Sequence, residues 1–196
     1  MQQRCIGLTG GIATGKSTVS DYLKDRYQLP LADADVLARE AIAPGTAGFI
    51  AIVERFPHVL TIASELDRRQ LGALIFRDEE QRRWLESLIH PYVRDHITQF
   101  LVEQQSAPRI VLDIPLLFEA GFGELATEIW VVVCEPSQQI ERLRKRNPQL
   151  SEEEACERIR AQYPLAQKAA AADWVLDNSG EVDALYQQIE QILGEP

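Results

Sequence analysis

GGIATGKST, residues 10–18, sits directly behind the apolar run Cys5–Thr9 (CIGLT). It leads into Lys16–Arg26, where Val19, Tyr22 and Leu23 recur at helical spacing. Its first eight residues fit the pattern G-x-x-x-x-G-K-[ST] in full. Glycine reaches backbone conformations closed to other residues and lets a ligand approach the chain closely. Successive N–H groups then face inward as an anion nest, and the helix that follows adds the positive end of its dipole. Lys16 supplies a mobile charge for the outer phosphates and Ser17 a hydroxyl for Mg2+. Such a loop holds the phosphates of a nucleotide, and the expected contacts are Gly11, Ile12, Ala13, Thr14, Gly15, Lys16, Ser17 and Thr18. A glycine-rich turn of purely structural use is the competing reading. The full match, set between an apolar strand and an amphipathic helix, disfavours it.

The rest of the chain alternates in kind. Leu29–Ala34 (LPLADA), Arg109–Asp113 (RIVLD), Glu128–Cys134 (EIWVVVC) and Asp173–Asp177 (DWVLD) read as further strands. Pro136–Arg146 and Ser151–Gln162 read as helices, Ser151 with Glu154 forming a capping box. The run Ala169–Ala172 reads as helix, and a last amphipathic helix ends near Leu193. Between Val36 and Gln105 the pattern is almost wholly helical. Pro44-Gly45 and Pro57 break it, and Pro91 interrupts or kinks it. Short apolar strands alternating with helices predict an α/β fold, a five-stranded parallel sheet with helices on both faces. Ligands of such sheets bind beyond the C-terminal strand ends. Asp33 and Asp35, Asp113 and Asn178 all fall at such ends.

Composition bounds the function. The chain has 196 residues, 45% hydrophobic and 26% charged, a length that suits one domain. No apolar run approaches the ~20 residues that cross a bilayer, and the N-terminus does not read as a signal peptide. Three cysteines at unrelated spacings (Cys5, Cys134, Cys156) form no disulfide or zinc pattern, so a cytoplasmic setting is expected. The net charge of −10 argues against nucleic acid as a partner. No membrane and no obligate protein partner are expected either. A polyanionic ligand then needs locally concentrated positive charge, and Arg142–Arg146 (RLRKR) is the densest such patch. Its bland reading is a solvated helix face. The chain has no N-K-x-D motif of a GTPase, and its size and helical insertion look like those of a small-molecule or nucleotide kinase. Tryptophans 84, 130 and 174 read as core.

A second set of motifs follows in order: DADVLARE (residues 33–40), Pro44-Gly45, LDRRQLGALIF (66–76), IHP (89–91), DIPLLFEAG (113–121), ERIRAQ (157–162) and ADWVLDNSG (172–180). With the glycine loop, this set resembles the dephospho-coenzyme A kinase family over nearly the whole chain. The resemblance implies ATP-dependent phosphorylation of the ribose 3′-hydroxyl of dephospho-CoA, with Mg2+. It also implies a P-loop core (residues 1–35, 107–141, 172–196), a helical acceptor-binding insertion (36–106) and a helical lid (142–171). By position, Asp33 is the expected base, and Lys16, Arg142 and Arg146 act on the transferred group. Asn178 lies near the adenine. Asp35, Arg68, His90, Pro91, Pro115, Leu116 and Leu117 face the acceptor. Ser17 and Asp113 hold the metal, Asp113 directly or through water.

Several roles have structural alternatives. Asp33 could cap the helix starting near Val36, although Asp35 fills that role better. Asp113 ends its strand as a Walker-B carboxylate would, or as an ordinary turn residue. His90 could contact a phosphate or the ribose, or cap a helix before Pro91. Two stretches depart from the family's commoner text. Ala13-Thr14 replace Gly-Ser, with only a stiffer loop expected. Asn147-Pro148 stand at the lid hinge, where proline restricts the residue before it. A different small-molecule or nucleoside monophosphate kinase is the nearest rival, and a non-catalytic P-loop binding protein is the rival from another class.

Overall fold

The computed structural model describes residues 3–194. The chain divides into two compact units, residues 34–102 and the remainder on either side of them. The larger unit carries a sheet of β1 (Arg4–Gly10), β2 (Leu31–Asp33), β3 (Arg109–Asp113), β4 (Glu128–Val133) and β5 (Trp174–Asp177). The strand order is β2-β3-β1-β4-β5 and every pairing is parallel. Strand β1 is central. The chain moves from it to one side for β2 and β3 and to the other for β4 and β5, so the topology switches at the C-terminal end of β1. That is where an open α/β sheet opens a crevice for ligand.

Burial explains the near-continuous apolar strands. Ile6, Leu8, Val111, Trp130, Val132 and Leu176 form one core with Val19 and Leu23 of α1 (Lys16–Tyr27). Leu185, Ile189 and Leu193 of α9 (Val182–Leu193) complete it. The segment between β4 and β5 folds as α6 (Pro136–Arg146), α7 (Glu152–Arg160) and α8 (Leu165–Ala170). Ser151 and Glu154 do form the capping box that starts α7. Asn147 closes α6 with φ −136° and ψ 76°, outside the helical region, as a following proline requires.

Residues 34–102 form their own helical unit: α2 (Ala34–Ala41), α3 (Ala47–Arg55), a 3-10 turn at Pro57–Val59, α4 (Arg68–Arg77) and most of α5 (Glu79–Glu103). Their core is Ala41, Ile42, Ile52, Phe56, Val59, Leu71 and Leu85.

Five expectations are corrected. The second strand is Leu31–Asp33, shorter at both ends than Leu29–Ala34, because Pro30 cannot donate to a ladder and Ala34 already begins α2. Asp35 therefore lies inside the first turn of α2, favourably placed for the helix dipole, and is not its cap. Pro91 does not interrupt α5, which runs unbroken through it, so His90 lies mid-helix and not at a helix end. Helix α8 stops at Ala170, short of Ala172. Trp174 is 44% exposed because β5 is an edge strand, whereas Trp130 is fully buried and Trp84 packs against the helical core.

Candidate active site

The glycine loop leaves β1 and closes on itself before α1. Thr14 N–H donates to the Gly11 carbonyl at 3.2 Å, and the Thr14 hydroxyl donates to the same oxygen at 2.9 Å. Gly15 precedes α1 at φ +94°, a conformation that favours glycine. A Cβ there would also lie 2.0 Å from Asn178 Nδ2. Ala13 takes φ +61°, an unfavourable angle for a residue with a Cβ.

Three side chains from distant elements hold this loop. Asn178, just past β5, donates from Nδ2 to the Thr14 carbonyl at 2.8 Å. Gln139 of α6 donates to the Ile12 carbonyl at 2.7 Å. Gln162, just past α7, accepts from the Ile12 N–H at 2.8 Å. Both the N–H and the carbonyl of Ile12 are thus fixed by glutamines to which sequence reading gave no role. Gln162 entered only as the last residue of the ERIRAQ motif, and Gln139 carried no signal beyond its amide chemistry inside a helical segment.

Lys16 donates to Asp113 Oδ1. Asp113 ends β3, pairs in register with Leu8 of β1 on one side and Asp33 of β2 on the other, and is 4% exposed. Its burial pushes the carboxyl above the usual carboxylate range. Lys16 opposes that shift, the charge of Asp33 adds to it, and the Ser20 hydroxyl opposes it. The two acids and the lysine therefore meet at the C-terminal edge of the sheet beside the glycine loop. Asp33 is half-buried and Ser17, in the first turn of α1, is exposed. No group of three or more His, Cys, Asp or Glu placed to hold a metal ion by themselves occurs among the described residues.

Arg142 is in the middle of α6, and its Nη2 donates to the Asn178 carbonyl at 2.9 Å. Its Nη1 is buried without a hydrogen-bond partner. Cys134 lies beside it: burial pushes this thiol up, and Arg142 opposes the shift. Arg146 is exposed in the last turn of the same helix. After β3, the Pro115 carbonyl accepts from the Thr9 hydroxyl at 2.9 Å. Leu116 is exposed, whereas Leu117 is fully buried, and a Cβ at Gly7 would lie 3.1 Å from Leu117 Cδ1, so Leu117 serves the core.

Four predicted acceptor residues belong to the helical unit. Asp35 is exposed on α2 and Arg68 is exposed at the start of α4. Asp67 caps α4, accepting from the N–H groups of Arg69 and Gln70. His90 is half-buried and Pro91 exposed on α5.

The family model described as dephospho-CoA kinase matches residues 4–184. The chain belongs to the dephospho-CoA kinase family. It is therefore a kinase of coenzyme A biosynthesis. It is 51% identical to the dephospho-CoA kinase of Synechocystis sp., over 96% of this chain and 94% of that one. A solved structure from Thermus thermophilus superposes with a TM-score of 0.84 at 34% identity, covering 100% of this chain and 98% of that one. The dephospho-CoA kinase of Campylobacter jejuni superposes at 0.72, covering 99% and 97%; at 24% identity it shows the shared fold. Shared P-loop kinase architecture accounts for the sheet order and the nucleotide loop of this dephospho-CoA kinase family member. No helix among its described residues is long and apolar enough to cross a membrane.

Proposed function

We propose that the chain transfers the γ-phosphoryl group of ATP to the ribose 3′-hydroxyl of dephospho-CoA, giving coenzyme A and ADP. The observation that carries this reading is the Lys16–Asp113–Asp33 arrangement at the sheet edge, directly beside a complete phosphate loop. Lys16 moves from Asp113 onto the outer phosphates when nucleotide binds. Asp33 accepts a hydrogen bond from the 3′-hydroxyl and aims its oxygen at the γ-phosphorus. The new P–O bond forms as the bond to the β–γ bridging oxygen breaks, ADP leaves, and the hydroxyl proton passes to Asp33. Orientation and charge neutralisation dominate such a step.

The oxygen donors fit Mg2+, a hard cation held through one or two carboxylates together with substrate phosphates. Ser17 and Asp113 would hold it, and when bound it offsets phosphate charge. We assign residues 36–106 to the acceptor, with Asp35, Arg68, His90 and Pro91 as its contacts, and Pro115 and Leu116 to the acceptor side of the core. Residues 142–171 form the lid, and Arg142 and Arg146 act on transition-state charge. Asn178 acts by buttressing the loop next to the bound nucleotide. The three free cysteines fit a reducing cytoplasm.

A coupled ADP-release assay across dephospho-CoA, adenosine, AMP and shikimate tests this reading. Turnover is expected with dephospho-CoA, with a 3′-phosphomonoester seen by phosphorus NMR. A new pyrophosphate signal, or faster turnover with another acceptor, would reject it.

A further inference from the structure

Lys168 is a fully buried lysine that the reaction as described does not use. It projects from α8, and its ammonium has three acceptors: Glu119 Oε1 at 2.8 Å, the Pro115 carbonyl at 3.2 Å and the Gly10 carbonyl at 3.4 Å. Three donors meet three acceptors, the full capacity of the group. Gly10 opens the phosphate loop after β1, and Pro115 lies in the loop after β3. Glu119 Oε1 also accepts from the Tyr163 N–H at 3.0 Å, while its Oε2 is buried without a partner. The residue before Tyr163 is Gln162, whose side chain holds the Ile12 N–H. The link between α7 and α8 is thus tied at consecutive residues to the two loops that flank the site.

A buried ion pair is a poor device for stability alone. Stripping water from both charges offsets most of their attraction, and apolar side chains of similar volume often do as well or better. What this pair supplies that an apolar pair cannot is direction: an ammonium aimed at two backbone carbonyls.

We propose that Lys168, oriented by Glu119 and acting with Gln162, is a positioning residue for phosphoryl transfer. It fixes the spacing between the loops after β1 and β3 and ties α8 to both. The proposal rests on the kinase reading above. Lys168 touches no reacting atom. It acts through Gly10 and Pro115, and a displacement of about 1 Å in a reacting group can lower a rate about 10²-fold.

Three variants test it, each measured for melting temperature, kcat, KM and amide exchange at Ile12 by NMR. Lys168→Met leaves the Glu119 carboxylate buried alone and should melt much earlier. Lys168→Met/Glu119→Gln removes that lone charge and should recover most of the melting temperature. Its kcat should stay at least about tenfold low with KM for ATP within a few-fold, and Ile12 should exchange faster. Recovery of kcat along with stability would overturn the proposal, because the pair would then be structural only. Gln162→Leu leaves the buried pair intact and decides the matter if neither Lys168 variant folds. Reduced kcat, faster Ile12 exchange and an unchanged melting temperature support the proposal; unchanged kcat overturns it. If the wild-type protein phosphorylates no dephospho-CoA, the kinase reading fails. Ile12 exchange then stands by itself, faster in the variants if the tether exists and unchanged if it does not.

Discussion

The Lys16 ammonium is bonded to the Asp113 carboxylate at the end of the adjacent strand. In the proposed mechanism, the cation for the outer phosphates is therefore stored on an acid whose burial would otherwise disfavour ionisation. On that proposal, nucleotide binding exchanges one anionic partner for another, and the charge is neutralised in both states. Lys16→Met should lower kcat at least about 10²-fold, the scale for removing a preorganised group at developing charge. Near-normal kcat in a folded variant would reject the role.

Asp33→Asn keeps the size and one acceptor oxygen but removes the charge. The expected loss in kcat is roughly 10²-fold, the scale of a positioned acid–base group, with ATP affinity within a few-fold. Asn also caps helices well, so a purely capping role predicts normal chemistry. Single-turnover rates distinguish the two, and an unchanged chemical step would move attention to Asp113.

The two arginines proposed for the lid should separate. Arg142 donates to the Asn178 carbonyl, and Asn178 in turn supports Thr14. Arg142→Ala should lower both the melting temperature and kcat. Arg146 is exposed, so Arg146→Ala should leave the melting temperature unchanged and reduce kcat more than ATP binding, by up to about 10³-fold if it closes on the transferring group. Effects confined to KM for ATP would show ground-state binding instead.

Glycine-loop substitutions should diverge in the same way. Ala13→Gly relieves a left-handed conformation that costs about 1–2 kcal/mol and adds unfolded-state freedom of about 0.4–1 kcal/mol. The effects oppose each other, so the melting temperature should rise slightly or stay level. Gly15→Ala forces a Cβ to within 2.0 Å of Asn178 Nδ2 at φ +94°. It should destabilise clearly and eliminate turnover. Calorimetry on both variants checks the contrast.

At the opposite end of the sheet, Glu128 accepts two hydrogen bonds from Arg4, at 2.7 and 2.8 Å, and one from Trp130 at 3.3 Å. Burial raises its pKa, but these bonds outweigh burial and hold the carboxyl below the ordinary glutamate range. A depressed folded value means the unfolded chain binds its proton first as pH falls. The stability is present above the ordinary glutamate value and is lost as pH drops through the folded one. Glu128→Gln should flatten that part of the stability–pH curve. An unchanged slope would show that the pair does not couple to folding.

The sequence by itself determined whatever depends on local pattern. Gly10 to Ser17 identified the phosphate loop because its chemistry is built from consecutive residues. Apolar runs located the five strands, and Ser151 with Glu154 located a helix start. Asp33 and Asp113 were visible as acids at strand ends, and the parallel register then made them neighbours. Tertiary structure alone decided what holds the loop. Gln139 and Gln162 meet Ile12 from 127 and 150 residues away, and Lys168 reaches Gly10 across 158. Each is an ordinary polar residue in a helical stretch, and only the packing of α6, α7 and α8 turns it inward. The lone exposed tryptophan followed the same logic. Trp130 and Trp174 are paired across β4 and β5, yet one is buried and the other exposed, because β5 lies at the sheet's edge and β4 does not. Strand order is a property of the assembled sheet, set by which faces find partners, and no local residue pattern encodes it.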